Sequence, residues 1–169
     1  AIVPEPDERL EHIDSFGNRV LQFGVHHQHS ELTVDATSDV IVEPMTVTSD
    51  GPRWEAAADA VLRIRGGEAL AVRPFAGGRP MLTDDDDKAA LHRFVTRSFT
   101  PRRPIVDAAR AFCHDIYSTF EYDPSFTDVS TPLPSVLAAR RGVCQDFAHL
   151  AVSGLRDLGL AARYVSGYI

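Results

Sequence analysis

Apolar side chains recur at every second position in the first third of this chain and at every third or fourth position after Thr83. That change of period restricts the chain to a fold in which a sheet region precedes a helical layer. From Glu31 to Val42, the residues Leu32, Val34, Ala36, Ser38, Val40 and Val42 fall on one face, with Glu31, Thr33, Asp35 and Asp39 mostly on the other, which predicts a half-buried strand. Ser15-Phe16-Gly17-Asn18 supplies turn residues ahead of the alternating Leu21, Phe23 and Val25, so residues 10 to 25 are expected to form a hairpin. Residues 1 to about 50 therefore read as an antiparallel sheet. Pro52 to Leu62 reads as a short helix with Trp54, Ala58 and Val61 on one face, and Ala69 to Val72 as one further short strand.

Thr83 through Asp87 put a capping residue and anions at the start of a helical pattern carried by Ala90, Leu91, Phe94 and Val95, where negative charge suits the helix dipole. Pro104 opens a second helix whose stripe is Ile105, Ala109, Phe112, Cys113, Ile116 and Phe120. A polar loop from Glu121 to Thr131 and a helical turn from Pro134 to Arg140 follow. A third helix begins around Gly142 to Cys144, with Phe147, Leu150, Ala151, Leu155 and Leu158 inside and Gly159 as its stop. The expected class is α+β, divided into a β-rich region over residues 1–82 and a helical core over residues 83–169, whose last stretch, Ala162 to Ile169, begins an antiparallel sheet.

With 44% hydrophobic and 24% charged residues the chain can bury a core. Its net charge of −7, all of it on residues 1–99, disfavours nucleic acid as a partner because both surfaces would be anionic. No apolar run reaches the roughly 18 residues of a membrane helix, so no membrane partner is expected. The chain opens on Ala1-Ile2-Val3-Pro4 with neither an initiator methionine nor a signal-like start, which suggests the end of a piece of a longer protein and a cytoplasmic setting. Two cysteines in a chain of 169 residues make no disulfide framework and read as free thiols.

Those two thiols differ in placement. Cys113 belongs to an apolar stripe and is expected to be a buried, inert small hydrophobe. Cys144 falls at a helix N-terminus, where unpaired N–H groups and the positive end of the dipole stabilise a thiolate, the form a nucleophile needs. Gly142 allows close approach of the chain there. Asp146 adds a favourable dipole contact but also a negative charge that opposes thiolate formation. His149 follows Cys144 by five residues, about 140° around the helix, and is expected to be a capping or core-edge residue rather than a base. His114 flanks Cys113 and is given no role. His26, His27 and His29 could offer a divalent metal two ligands on one face, but structural zinc takes four, so they read as exposed polar histidines. Gly66-Gly67 and Gly77-Gly78 lack the residues of a phosphate loop and read as turns. Tyr122, beside Phe120, is a candidate for a substrate cleft or for simple packing.

The run Phe120-Glu121-Tyr122, Asp128-Val129-Ser130-Thr131, Val136-Leu137, Arg141-Gly142-Val143-Cys144-Gln145-Asp146-Phe147-Ala148-His149 and Ala162-Arg163-Tyr164-Val165-Ser166-Gly167-Tyr168 resembles the nucleophile half of the bacterial transglutaminase-like family, among the papain-like cysteine enzymes. The likeness covers about residues 90 to 169. Asp14-Ser15-Phe16-Gly17-Asn18-Arg19-Val20 is similar to the β-rich region that often precedes this core.

The resemblance implies that Cys144 attacks an amide carbonyl of a peptide or protein substrate, that a His on a following strand pairs with the thiol, and that an Asp on the next strand orients the His. Both partners would come after the Arg163 to Tyr168 strand and hence beyond Ile169, so the 169 residues acting alone are expected to turn over negligibly. Such acyl chemistry needs no metal or organic cofactor. The alternative is a binding or scaffolding module that keeps the fold without the reaction. An open sheet edge could also pair two copies into a homo-oligomer.

Overall fold

A computed structural model describes residues 1–43, 48–49, 51–77, 81–128 and 130–167. Gly78, Val129, Tyr168 and Ile169, which enter the pattern-based expectations above, lie outside the described residues. The chain divides into two compact units, residues 1–45 and 46–169.

Among the described residues the first unit contains four strands: β1 (Ile2–Val3), β2 (Glu8–Ile13), β3 (Arg19–Gly24) and β4 (Thr33–Val34). β2 and β3 form the expected antiparallel hairpin, in register from Glu8 opposite Gly24 to Ile13 opposite Arg19. Asp14 builds the turn. Its carboxylate accepts the N–H groups of Phe16 and Asn18, both at 2.8 Å, and Asn18 Nδ2 at 2.9 Å, while Gly17 supplies the left-handed residue at φ +85°. These bonds, led by that from the Asn18 side chain, hold the Asp14 carboxyl below its usual range. The long strand expected over Glu31 to Val42 is a correction: only Thr33–Val34 forms a strand, paired with β1, and Asp35 continues the pairing by donating its N–H to Ala1 O at 2.7 Å. Alternation creates a face, but β1 and Ala1 end there, and residues 36–42 lie exposed with no assigned strand, Ile41 at 89%.

The second unit contains α1 (Trp54–Arg63), α2 (Gly67–Ala76), α3 (Asp85–Val95), α4 (Ile105–Thr119), β5 (Glu121–Tyr122), α5 (Leu133–Ala139), β6 (Arg141–Gly142) and α6 (Cys144–Asp157). Ala69 to Val72, expected as a strand, lies inside α2. A four-residue apolar run carries no period of its own. Here Ala69 is buried, Leu70 and Ala71 are exposed and Val72 is again half-buried, a three-residue step that is helical rather than alternating. The α3 cap is Asp84, whose carboxylate accepts Asp86 N–H at 2.9 Å and Asp87 N–H at 3.3 Å.

The core is aromatic. Phe94 of α3 packs on Phe112 of α4 and on Phe120 just beyond it, with ring centroids 5.7 and 5.6 Å apart, and Phe99 joins Phe112 at 6.1 Å. Trp54 of α1 meets Phe99 edge-on at 5.9 Å, and its indole N–H donates to Thr100 O at 2.9 Å. α6 enters this cluster through Leu150 and Gly154, both fully shielded from solvent. Cys113, expected to be buried, is exposed. The buried line of α4 is Ala108, Phe112 and Ile116, at steps of four, and Cys113 is turned about 100° away from Phe112. The stretch from Ala162 to Gly167 has no strand partner among the described residues, contrary to the expected sheet. Its Ala162 N–H donates to Phe75 O of α2 at 2.9 Å. Among the described residues no helix is long and apolar enough to cross a membrane.

A methyl group at Gly154 would stand 3.0 Å from Phe112 Cζ and 3.4 Å from Val95 Cβ. Gly154→Ala therefore gains about 1 kcal/mol of helix propensity but overpacks the core at a cost of about 1–3 kcal/mol. The expected outcome in urea unfolding is a net loss of up to about 2 kcal/mol, whereas Phe112→Ala should lose about 3–5 kcal/mol. A Gly154→Ala variant more stable than its parent would contradict this packing.

Candidate active site

Two residues of parallel ladder set the approach to Cys144. β5 and β6 pair Glu121 with Arg141 and Tyr122 with Gly142, and Asp123 N–H donates to Gly142 O at 2.9 Å. The chain then passes through Val143 in an extended conformation (φ −117°, ψ 176°) and turns into α6 with Cys144 as the first helical residue. The first bond of that helix runs from Phe147 N–H to Val143 O at 3.1 Å. The N–H groups of Cys144, Gln145 and Asp146 consequently have no acceptor within the helix and point out of its N-terminus. Cys144 is exposed there.

Behind the thiol sits a buried carboxylate. Asp146 is 8% exposed, and its Oδ2 accepts both the Val143 N–H and the Thr127 hydroxyl, each at 2.8 Å. Thr127 lies on a loop folded around two further aspartates. Asp123 accepts Ser125 N–H at 2.9 Å and Ser125 Oγ at 2.6 Å, and also pairs with the Arg141 guanidinium. Asp128 accepts Ser130 N–H at 2.8 Å and Ser130 Oγ at 2.7 Å. Hydrogen bonds from Ser125 and Ser130, first from the hydroxyl and then from the N–H in each case, hold both carboxyls below the ordinary aspartate range. Arg141 also covers the Phe126 ring at 5.4 Å, and Arg140, left-handed at φ +57°, lies over Phe94 and Phe120 at 4.9 and 5.1 Å.

Cys144, Gly142 and Asp146 are thus brought together. The histidines are not. Among the described residues no hydrogen bond or ion pair joins Cys144 to a histidine. His149 stacks on Tyr164 with centroids 5.1 Å apart, His92 Nδ1 lies 2.6 Å from Asp157 Oδ2 between α3 and α6, and His114 is exposed on α4. In the first unit, His26 N–H donates to Asp7 Oδ2 at 2.7 Å, His27 Nδ1 lies 3.1 Å from the same oxygen, and His29 Nδ1 lies 2.8 Å from His27 O. Sequence reasoning missed the Asp7 contact, which the hairpin register creates across some twenty residues. Among the described residues no group of three His, Cys, Asp or Glu side chains could hold a metal ion. Tyr122 is exposed and paired in register with Gly142, two residues before Cys144. The Thr127 contact was also not legible in the sequence, since nothing in spacing alone links that loop to α6.

The mixed arrangement of helices and short strands, with a thiol on the first turn of α6, is similar to a papain-like, transglutaminase-like fold. Residues 90–169 match the transglutaminase-like superfamily model, and residues 1–41 match the bacterial transglutaminase-like N-terminal region. Residues 90–169 are thus a transglutaminase-like core, preceded by a region similar to the one found ahead of it in bacterial relatives. The chain is 39% identical to an uncharacterized protein of Mycobacterium tuberculosis, with 99% of this chain and 52% of that protein aligned. It is 33% identical to an uncharacterized protein of Mycobacterium leprae, over 94% of this chain and 53% of the relative. The crystal structure of a "Putative Cysteine Protease" from Cytophaga hutchinsonii shares the fold at 18% identity, with a TM-score of 0.59 over 95% of this chain and 52% of that one. The chain spans about half the length of the curated relatives it matches.

The lowered carboxyls of Asp123 and Asp128 fix the acid behaviour of the loop. A folded-state value below the free value of 3.8 means that the ordering contribution is fully present above 3.8 and is lost as pH falls through the lowered value. The Ser125 and Ser130 amide resonances should therefore titrate with midpoints below 3.8. A midpoint at or above 3.8 would show that these bonds do not form.

Proposed function

We propose that Cys144 is the nucleophile of a cysteine-dependent acyl reaction on amide bonds, with a peptide or protein as substrate. The observation that carries this reading is an exposed cysteine as the first residue of α6, a helix whose first three N–H groups have no acceptor inside the helix. The match of residues 90–169 to the transglutaminase-like superfamily supports cysteine-dependent acyl chemistry in general.

In the proposed reaction the Cys144 thiolate adds to the amide carbonyl carbon, and the oxygen, now anionic, is met by N–H groups at the helix start. The C–N bond then breaks, the amine leaves with a proton, and the acyl group remains as a thioester. Water or a second amine attacks that thioester and regenerates the thiol, giving hydrolysis or transfer. The family resemblance implies a His as general base and an Asp that orients it, both C-terminal to Arg163–Tyr168. No metal or organic cofactor enters this scheme.

The test uses the full-length protein with a peptide amide substrate. Cys144→Ala should lower kcat by at least about 10³-fold while leaving the urea midpoint unchanged, and one equivalent of iodoacetamide should label Cys144 and abolish turnover. Full activity in Cys144→Ala would refute the nucleophile and leave a binding module as the reading of this fold.

A further inference from the structure

Resting on the reading of Cys144 as nucleophile, we infer that Asp146 is a positioning residue for it, and that Gly142 is the clearance in which the Asp146 carboxylate sits. These two residues lie two positions before and two positions after Cys144, so one carboxylate closes a clasp around the nucleophile turn.

Three features of the structure converge on this assignment. Val143, which occupies the cap position of α6, has no polar side chain, so the entry to the helix is not secured in the usual way. Asp146 Oδ2 secures it instead by accepting the Val143 N–H at 2.8 Å, which holds the Gly142–Val143 peptide, one residue upstream of the peptide that leads into Cys144. The same oxygen accepts the Thr127 hydroxyl at 2.8 Å and ties the loop around Asp123 and Asp128 to this peptide. Finally, a Cβ placed on Gly142 would stand 2.8 Å from Asp146 Oδ2 and 3.1 Å from Asp146 Cβ, distances that ordinary contacts do not reach. The carboxylate fills the space that any other residue at 142 would occupy.

The geometry also separates positioning from acid–base work. The bonded oxygen of Asp146 is engaged by the Val143 N–H and the Thr127 hydroxyl, neither of which is the thiol. The negative charge of Asp146 near a thiolate is unfavourable in itself, and two donors on one oxygen reduce that penalty. What remains is geometric: the Val143 peptide, the Cys144 Cα and the outward N–H groups are held in one arrangement. Displacements of about 1 Å at a reacting group can reduce rate by about 10²-fold.

The experiment compares four variants of the full-length protein, Asp146→Ala, Asp146→Asn, Gly142→Ala and the double variant Gly142→Ala/Asp146→Ala, with Thr127→Val as a milder companion. Asp146→Ala should lower kcat by about 10²-fold, with KM changed less than about threefold and with slower alkylation of Cys144 by iodoacetamide. Asp146→Asn keeps an acceptor for Val143 N–H without the charge, and should restore most of kcat and of the alkylation rate. Gly142→Ala should resemble Asp146→Ala, and the double variant should be no worse than Asp146→Ala alone, because the methyl group no longer meets a carboxylate. Should Asp146→Ala fail to fold, Thr127→Val, which removes one donor and retains the carboxylate, carries the test with a smaller fall in kcat at unchanged KM. Wild-type kcat and alkylation rate in folded Asp146→Ala, or in Thr127→Val where that variant replaces it, would overturn the inference, as would strictly additive effects of Gly142→Ala and Asp146→Ala. Cys144→Ala run in parallel separates the two readings. Activity that survives it removes the nucleophile, whereas activity lost there and intact in Asp146→Ala removes only the clasp.

Discussion

The position of the thiol depends on the contact between α6 and the phenyl rings of α3 and α4. Leu150 and Gly154 lie against Phe94, Val95 and Phe112, and the absence of a side chain at Gly154 is what lets the Phe112 ring reach the α6 backbone. A helix held along its inner face by packed rings has little freedom to rotate or slide, because interior packing leaves few voids for it to move into. Its N-terminus is consequently a fixed point, and Cys144 inherits that position. The two-residue β5–β6 ladder contributes much less by area, but it determines the direction from which the chain arrives.

Much of this organisation is legible in the sequence because it arises from period and from local chemistry. The stripe of α4, the inner face of α6 and the aspartate-rich start of α3 are written in residues three or four apart, and the hairpin is written in Asp14-Ser15-Phe16-Gly17-Asn18. The failures share a cause. Glu31 to Val42 has a strand pattern and Ala69 to Val72 a run of apolar residues, but a strand exists only where another backbone pairs with it, and no local pattern reports that partner. The spacing of Cys113 from Ala109 and Ile116 puts it on the apolar stripe, but the buried line runs through Ala108, Phe112 and Ile116 and leaves Cys113 outside it. At the site, Cys144 was legible because a helix start is a local feature. The bond from Thr127 to Asp146 was not, since it joins residues 19 apart through the folding of a loop.

Asp146 also illustrates how one residue changes meaning between sequence and structure. In the sequence it is an anion two residues from a thiol, opposing the thiolate. In the structure its bonded oxygen is turned inward and holds two donors, so it acts on the backbone that carries the thiol. Burial of a carboxylate is unfavourable unless it is hydrogen-bonded, and here the bonds that make burial tolerable are the same ones that order the turn.

The contrast between α3 and α6 shows what that arrangement leaves open. At the start of α3, Asp84 accepts the N–H groups of Asp86 and Asp87, which consumes the donors of that terminus and stabilises the helix. At the start of α6 the acceptor comes from inside the helix and takes the Val143 N–H, one residue upstream of the helical donors. A serine or aspartate at position 143 would cap α6 by about 1 kcal/mol, but it would do so by occupying the N–H of Gln145 or Asp146. Those are the groups that an oxyanion formed at Cys144 would need. The apolar Val143 keeps them unoccupied, and the carboxylate of Asp146 supplies the order that a capping side chain would otherwise have provided. Stability and donor availability compete for the same few N–H groups, and this helix resolves the competition by moving its acceptor one peptide back.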